Sequence, residues 1–503
     1  MKKIYYFLIA VLISGSTLFS GCESFLDKQP ESQLSRDKFW KTPKDADIWI
    51  AAMYDGLQLT LGRNYFLWGE VRSDNQQLAG TGTAQLQFLT NTLNASMTEC
   101  NWNNLYRTIS SANFAIKYIP AIPDVSAPQI ALQLGQAYAM RALMYFYAIR
   151  VWGPVPLITE PYEALDGQVK FNDRSSVDLV KAQILSDINN ALANFDSNTP
   201  SVYLLNRGSV LALQTDVHMW FKEYDKAIVS SDQLIATKKY SLATNSADWK
   251  NAFISPATSG ESIFNMYWDY LQDGGGNGLA SFYGSGSNTP NYKLRQPLWD
   301  TLVSRETDAR KWNLLDTLEL FYRGGKIKVS YEAYNLNGTQ LSCKFAPWDP
   351  GKLNTTYNYV GGYVFPPNNE CQVHIPIYRF SDIMLLRAEA LNKVGRRTDA
   401  MAIVNSIRTR MGYNHLLTAT NTPNELSLEN AILIERQLEL WGEGKRWFDL
   451  IRTDRVVSIM DPILKERGIT EGFGDVRRIL FPLHSSAFEG NPVIKQNEPY
   501  TQN

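Results

Sequence analysis

Paired stretches of helical periodicity recur along this chain, and they limit the folds open to it more than any other feature. The segments Trp102 to Ile119 and Gln129 to Trp152 form one such pair. In the second, Tyr138, Leu143, Tyr145, Phe146, Ile149 and Trp152 are too many apolar residues for a single stripe, which predicts a helix buried on most sides and ended by Gly153 and Pro154. A helix over Val177 to Asn194 precedes a pair from Arg207 to Lys238, interrupted near Lys222 to Tyr224. Ile383 to Val394 and Asp399 to Met411 pair around Gly395, and Leu428 to Leu440 pairs with Lys445 to Arg452 around Gly442 and Gly444. Small residues mark the expected crossings, Ala212 with Ala227, and Ala388 and Ala390 with Ala402. Such hairpins read as tetratricopeptide-type units, which repeat at about 34 residues and stack into a solenoid. Here the spacing is irregular. The expectation is a mostly α-helical scaffold of degenerate repeats carrying long insertions, and the alternative is a helical bundle without repeats.

The middle of the chain has a different character. Asp269 to Tyr292 reads DYLQDGGGNGLASFYGSGSNTPNY, and Tyr331 to Pro367 is rich in Asn, Gly, Tyr and Pro. Loops of this length within a compact protein are either functional or disordered, and disordered segments are poor in aromatics, which these are not. The whole chain is 12% aromatic, with 13 Trp and 26 Tyr. Rings with an apolar body and a polar tip suit half-exposed binding faces, although they fill helical cores equally well. The insertions are therefore the expected binding face, on a helical scaffold over about 36–260 and 376–455 with loop-rich insertions over about 261–375.

The N-terminus gives an address. Lys2 and Lys3 precede an apolar run from Ile4 to Ile13, and LFSGC follows at Leu18 to Cys22. The run is too short to span a membrane, which takes about 20 apolar residues, so residues 1–21 read as a signal peptide. A cysteine directly after Ser20 and Gly21 is the acceptor position of a lipobox, making Cys22 the lipidated N-terminus of a single domain over 22–503; simple secretory cleavage is the alternative. Of the other cysteines, Cys343 and Cys371 either form a disulfide or stay as buried thiols, and no metal-type spacing appears. A net charge of −1 over 503 residues provides no basic footprint for nucleic acid.

Catalytic patterns are scarce in the chain. The glycine run Gly274 to Gly276 lacks the Lys-Ser or Lys-Thr of a phosphate loop, and neither a GxSxG elbow nor an HExxH helix is present. His218, His374, His415 and His484 are isolated and read as structural. ERQLELWGEGKRWFDLIR, Glu435 to Arg452, concentrates charge. Glu435, Glu439 and Glu443 invite comparison with the paired carboxylates of glycosidases, but interleaved Arg436, Lys445, Arg446 and Arg452 favour a partly buried ion-pair network.

Several blocks resemble one known family. CESFLDKQP (Cys22 to Pro30), WNNLYRTISSANFAI (Trp102 to Ile116), AYAMRALMYFYAIRVWGPVPLI (Ala137 to Ile158), PIYRFSDIMLLRAEALNKVGR (Pro376 to Arg396) with IVNSIRTRMG (Ile403 to Gly412), the Glu435 to Arg452 stretch and FPLHSSAFEGNPVIKQNEPY (Phe481 to Tyr500) occur in its order. They are similar to the SusD/RagB-like nutrient-binding lipoproteins of the Bacteroidetes outer membrane. The resemblance implies four tetratricopeptide-like pairs on one side and an irregular ligand face on the other. It further implies a non-enzymatic, cofactor-free role at the cell surface: capture of a glycan or other nutrient and its delivery to a SusC-like TonB-dependent barrel. Competing classes are a surface lipoprotein glycoside hydrolase and a protein-binding adaptor. Arg72 and Asn75, in GEVRSDN, stand where family members place a polar sugar contact, and Trp268, Tyr270, Tyr283 and Tyr292 are the expected aromatic partners.

Overall fold

The structure is a computed structural model that describes residues 39–501 apart from 80–81, 164–170, 197–200, 284–290 and most of 311–369. Cys22 and Cys343 fall outside the described residues, as does the side chain of Tyr283.

Helices form where caps and apolar stripes coincide. The first, α1 (Pro43–Leu61), starts at a capping box between Thr42 and Asp45, with Pro43 preset for the first turn. A short helix α2 (Asn64–Gly69) follows, then strand β1 (Gln76–Leu78) and helix α3 (Asn103–Tyr118). Ser126 caps α4 (Ala127–Trp152), and Gly153 ends it at φ +73°, a conformation favouring glycine. Every residue from Ala139 to Trp152 is buried, as the apolar excess predicted, because α4 is packed by α1, α3 and α5 (Val177–Asn194). Next come α6 (Arg207–Trp220) and α7 (Tyr224–Ala236), whose break at Phe221 to Glu223 matches the expected interruption.

Helix α8 (Ser246–Ile254) leads into strand β2 (Ser262–Met266). The following segment holds strand β3 (Tyr292–Leu294), helix α9 (Gln296–Ser304) and short antiparallel pairs such as Trp348–Asn354 with Tyr359–Tyr363. It closes on strand β4 (Ile375–Arg379), which pairs antiparallel with β2, Ile375 opposite Met266. The chain ends in α10 (Phe380–Lys393), α11 (Arg397–Arg410), α12 (Glu425–Glu439), α13 (Arg446–Arg452) and α14 (Val456–Glu466).

Neighbouring helices pack in succession: α1 on α3, α3 on α4, α4 on α5, α6 on α7, α7 on α10, and α10 on both α11 and α12. The small residues Ala212, Ala227, Ala388 and Ala390 are fully buried. Ala402 is exposed, however, and Ala400 takes the buried place on α11. A shift of two residues turns an α-helix by about 200°, enough to exchange faces. Among the described residues no helix is long and apolar enough to cross a membrane.

Candidate functional site

The β2–β4 pairing decides what lies at the root of the central insertion. All ten residues of the two strands are buried. Their antiparallel register makes Tyr267 and His374, each one residue beyond the pair, spatial neighbours on emerging. The two rings stack with centroids 5.0 Å apart and planes inclined by 16°. A third ring, Tyr203, is drawn in because Asn265 N–H donates to the Val202 carbonyl at 2.7 Å. Tyr203 meets Tyr267 edge-on at 5.1 Å and His374 at 4.8 Å. Tyr267 remains 41% exposed, so the cluster offers a ring face to solvent.

The loop after Tyr267 is held in one shape. Trp268 N–H donates to His374 Nδ1 at 3.2 Å, and its indole N–H donates to the Gly275 carbonyl at 2.8 Å. Gly274 at φ +73° makes that return possible. Asp273 accepts from Asp269 N–H at 2.7 Å, while Gln58 on α1 donates to the Tyr267 carbonyl at 2.8 Å and to Asp273 at 3.3 Å. Asn277 closes the loop by bonding the Val373 and Cys371 carbonyls. Burial lowers the His374 pKa, against the opposing pull of Asp269, and so supports the neutral ring whose Nδ1 accepts. Asp55, beside Gln58 on α1, has its carboxyl pKa raised by burial and then by the nearby charge of Asp273. The result is a preformed platform of three rings edged by amide and carboxylate groups, suited to an apolar ring face whose rim carries hydroxyls.

The residues selected from sequence divide sharply. Trp268 and Tyr270 lie in the platform loop, both half-buried. Trp268 braces the loop and packs against Gly62, where a Cβ would approach its ring to 3.2 Å. Arg72, Asn75 and Tyr292 are interior, which corrects their reading as ligand contacts. The Arg72 guanidinium lies over Trp447 at 4.1 Å and Phe481 at 4.9 Å, and donates to Asn91 and to the Arg478 and Ile479 carbonyls. Asn75 donates to Glu70 at 2.6 Å and accepts from Gln437 at 2.7 Å. Tyr292 is drawn inward by the β1–β3 pairing, opposite Leu78 and against Phe66 and Phe282. Polar and aromatic type alone did not separate these clamps from surface contacts. Conversely, the sequence does not single out Tyr203 or Tyr267, and it presents His374 as a structural histidine. The one available signal was MYW directly after an apolar strand; the partner His374 lies 107 positions away and is reached only through strand register.

The acidic cluster of α12 is sealed. Glu435 is met by Arg310 at 2.6 Å, Arg408 at 2.7 Å and Arg305 at 3.2 Å. Burial alone would raise its pKa, but these cations outweigh it and hold the group at about 2. Glu439 meets Arg379 at 2.7 Å and Arg310 at 3.1 Å, and Glu443 meets Arg379 at 2.8 Å and Lys344 at 2.5 Å. None of the three carboxylates is more than 3% exposed. A substrate bond cannot reach carboxylates so enclosed.

Residues 367–500 match the model described as "SusD family", and residues 24–213 match "Starch-binding associating with outer membrane". The chain is 33% identical to SusD-like protein P38 of Formosa agariphila, over 99% of this chain and 100% of that protein. A crystal structure of a SusD superfamily protein from Bacteroides thetaiotaomicron superposes with a TM-score of 0.72 at 23% identity, covering 92% of this chain and 99% of that one. A laminarin-binding SusD-like protein superposes with a TM-score of 0.70 at 23% identity, covering 92% and 100%.

Proposed function

The chain belongs to the SusD family, and from that premise we propose that it is a cell-surface lipoprotein which captures a glycan and hands it to a SusC-like TonB-dependent barrel. The observation that carries the glycan reading is the Tyr203, Tyr267 and His374 platform, with Tyr267 presented to solvent and a polar rim already organised. Pyranose rings present C–H faces that stack on aromatics, and their hydroxyls take up amide and carboxylate partners. Cys22 supplies the lipid tether, residues 22–503 act as one unit, and 261–375 carry the binding face. The association of the matched family with the outer membrane and the laminarin ligand of one structural neighbour support this reading.

Binding without cleavage is the mode proposed, since the densest carboxylate cluster is enclosed by arginines. Native gels cast with laminarin or soluble starch test it. Retardation of the protein with no new reducing ends is the expected result. Release of reducing ends would make the protein an enzyme, and free migration through every glycan would remove the binding role.

A further inference from the structure

A second concavity lies between α3 and the strand-like segment after α4. It has a volume of about 450 Å³ and is walled by Trp102, Tyr106, Ile158 and Tyr162. That size is within the range of small-ligand sites, about 300–1,000 Å³. Its walls are rigid. Tyr106 Oη donates to the Pro156 carbonyl at 2.7 Å, Asn113 Nδ2 to the Ile158 carbonyl at 3.1 Å, and Arg141 to the Thr159 carbonyl at 3.0 Å. Tyr145 Oη both donates to and accepts from the Ile158 backbone. Tyr162 forms the outer wall, 53% exposed, with its hydroxyl held by Asn172.

The helix side of the cleft presents Asn103, Arg107 and Ser110, which line it at positions i, i+4 and i+7 of one face. The side chains of these three make no hydrogen bond or ion pair among the described residues, while the buried polar groups beneath them, Asn113 and Arg141, are bonded. Polar groups with free bonding capacity along one wall, facing aromatic rings on the other, match an amphipathic ring with equatorial hydroxyls. They do not match a lipid chain, which would leave that polar row without partners.

We infer that this cleft is a second saccharide site, taking one or two rings of a glycan between Tyr162 and the Asn103, Arg107 and Ser110 face. The inference rests on the glycan-binding reading above, to which it adds a second point of attachment. Two weak sites on one chain raise the avidity for a long polymer while each ring contact stays easily released.

Calorimetric titration with laminaritetraose and maltotetraose tests the inference, using wild type, Tyr267→Ala and the double variant Tyr162→Ala/Arg107→Ala. Thermal melts serve as the folding control. The expected result is two tetrasaccharides per chain in wild type and one in each variant, with a long polymer bound at least tenfold more weakly by either variant. One tetrasaccharide per wild-type chain, lost in Tyr267→Ala and retained in the double variant, would overturn the cleft and leave the platform standing. Binding of neither tetrasaccharide would overturn both. Binding lost only in the cleft variant would support the cleft and remove the platform.

Discussion

Among single residues, buried polar groups carry the most testable content. Glu70 has no exposed surface; its Oε1 accepts from Asn75 and from Gly442 N–H at 3.0 Å, and its Oε2 has no partner among the described residues. Burial raises its pKa to about 7. Because the folded value lies above the unfolded one, stability falls as pH rises from near the unfolded value through 7. Glu70→Gln keeps the Oε1 acceptor and removes the ionisation, so its melting temperature should exceed wild type at pH 8 and approach it near pH 4. A uniform shift at both values would contradict the assignment. His374 has the opposite sign. Its lowered pKa means that the neutral ring holds the platform loop, and protonation, which in the folded protein waits until pH falls below the ordinary imidazole range, removes the acceptor that Trp268 N–H requires. Glycan affinity should therefore hold from pH 7.5 to 6.5 and decline only at more acid pH, and the decline should flatten in His374→Gln. Arg72 shows why such roles are hard to read from sequence. Its neighbours in GEVRSDN read as a polar loop, yet the aromatic rings that sandwich it, Trp447 and Phe481, lie hundreds of positions away.

Secondary-structure elements were far more legible. The helix over Val177–Asn194 has the predicted bounds, and the later hairpins fall within three residues of expectation, because caps and periodicity are local signals. The charge-rich stretch on α12 and α13 was also readable as structure, since alternating signs at helical spacing must pair once buried. Its true extent was not, because Arg305, Arg310, Lys344 and Arg379 come from other elements. Glu443→Gln would leave Lys344 and Arg379 short of a counter-charge in the interior, a loss of about 3–5 kcal/mol. Chemical denaturation should show this loss, while the folded fraction binds glycan with wild-type affinity. Lost affinity at unchanged stability would instead place Glu443 in the site. The register of β2 on β4, which builds the platform, is a non-local pairing for which sequence pattern gave no cue.

Over the whole molecule, successive helices form a frame and the central insertion returns to it through a two-stranded pairing, so the three-ring platform sits where the insertion leaves the scaffold. That placement lets the frame hold Tyr203, Tyr267 and His374 in register. The proposed tether gives a prediction at this scale. Cys22→Ala should produce a folded protein that no longer fractionates with membranes when its barrel partner is absent, because lipid chains supply the anchoring. Membrane retention of that variant would contradict the lipoprotein reading. The central claim, that an exposed tyrosine on a preformed three-ring platform captures glycan, is tested most directly by calorimetry of Tyr267→Ala against wild type with the polymer retained in native gels. The account predicts at least tenfold weaker binding, about 1.4 kcal/mol, at an unchanged melting temperature. Equal affinities for the two proteins would contradict it.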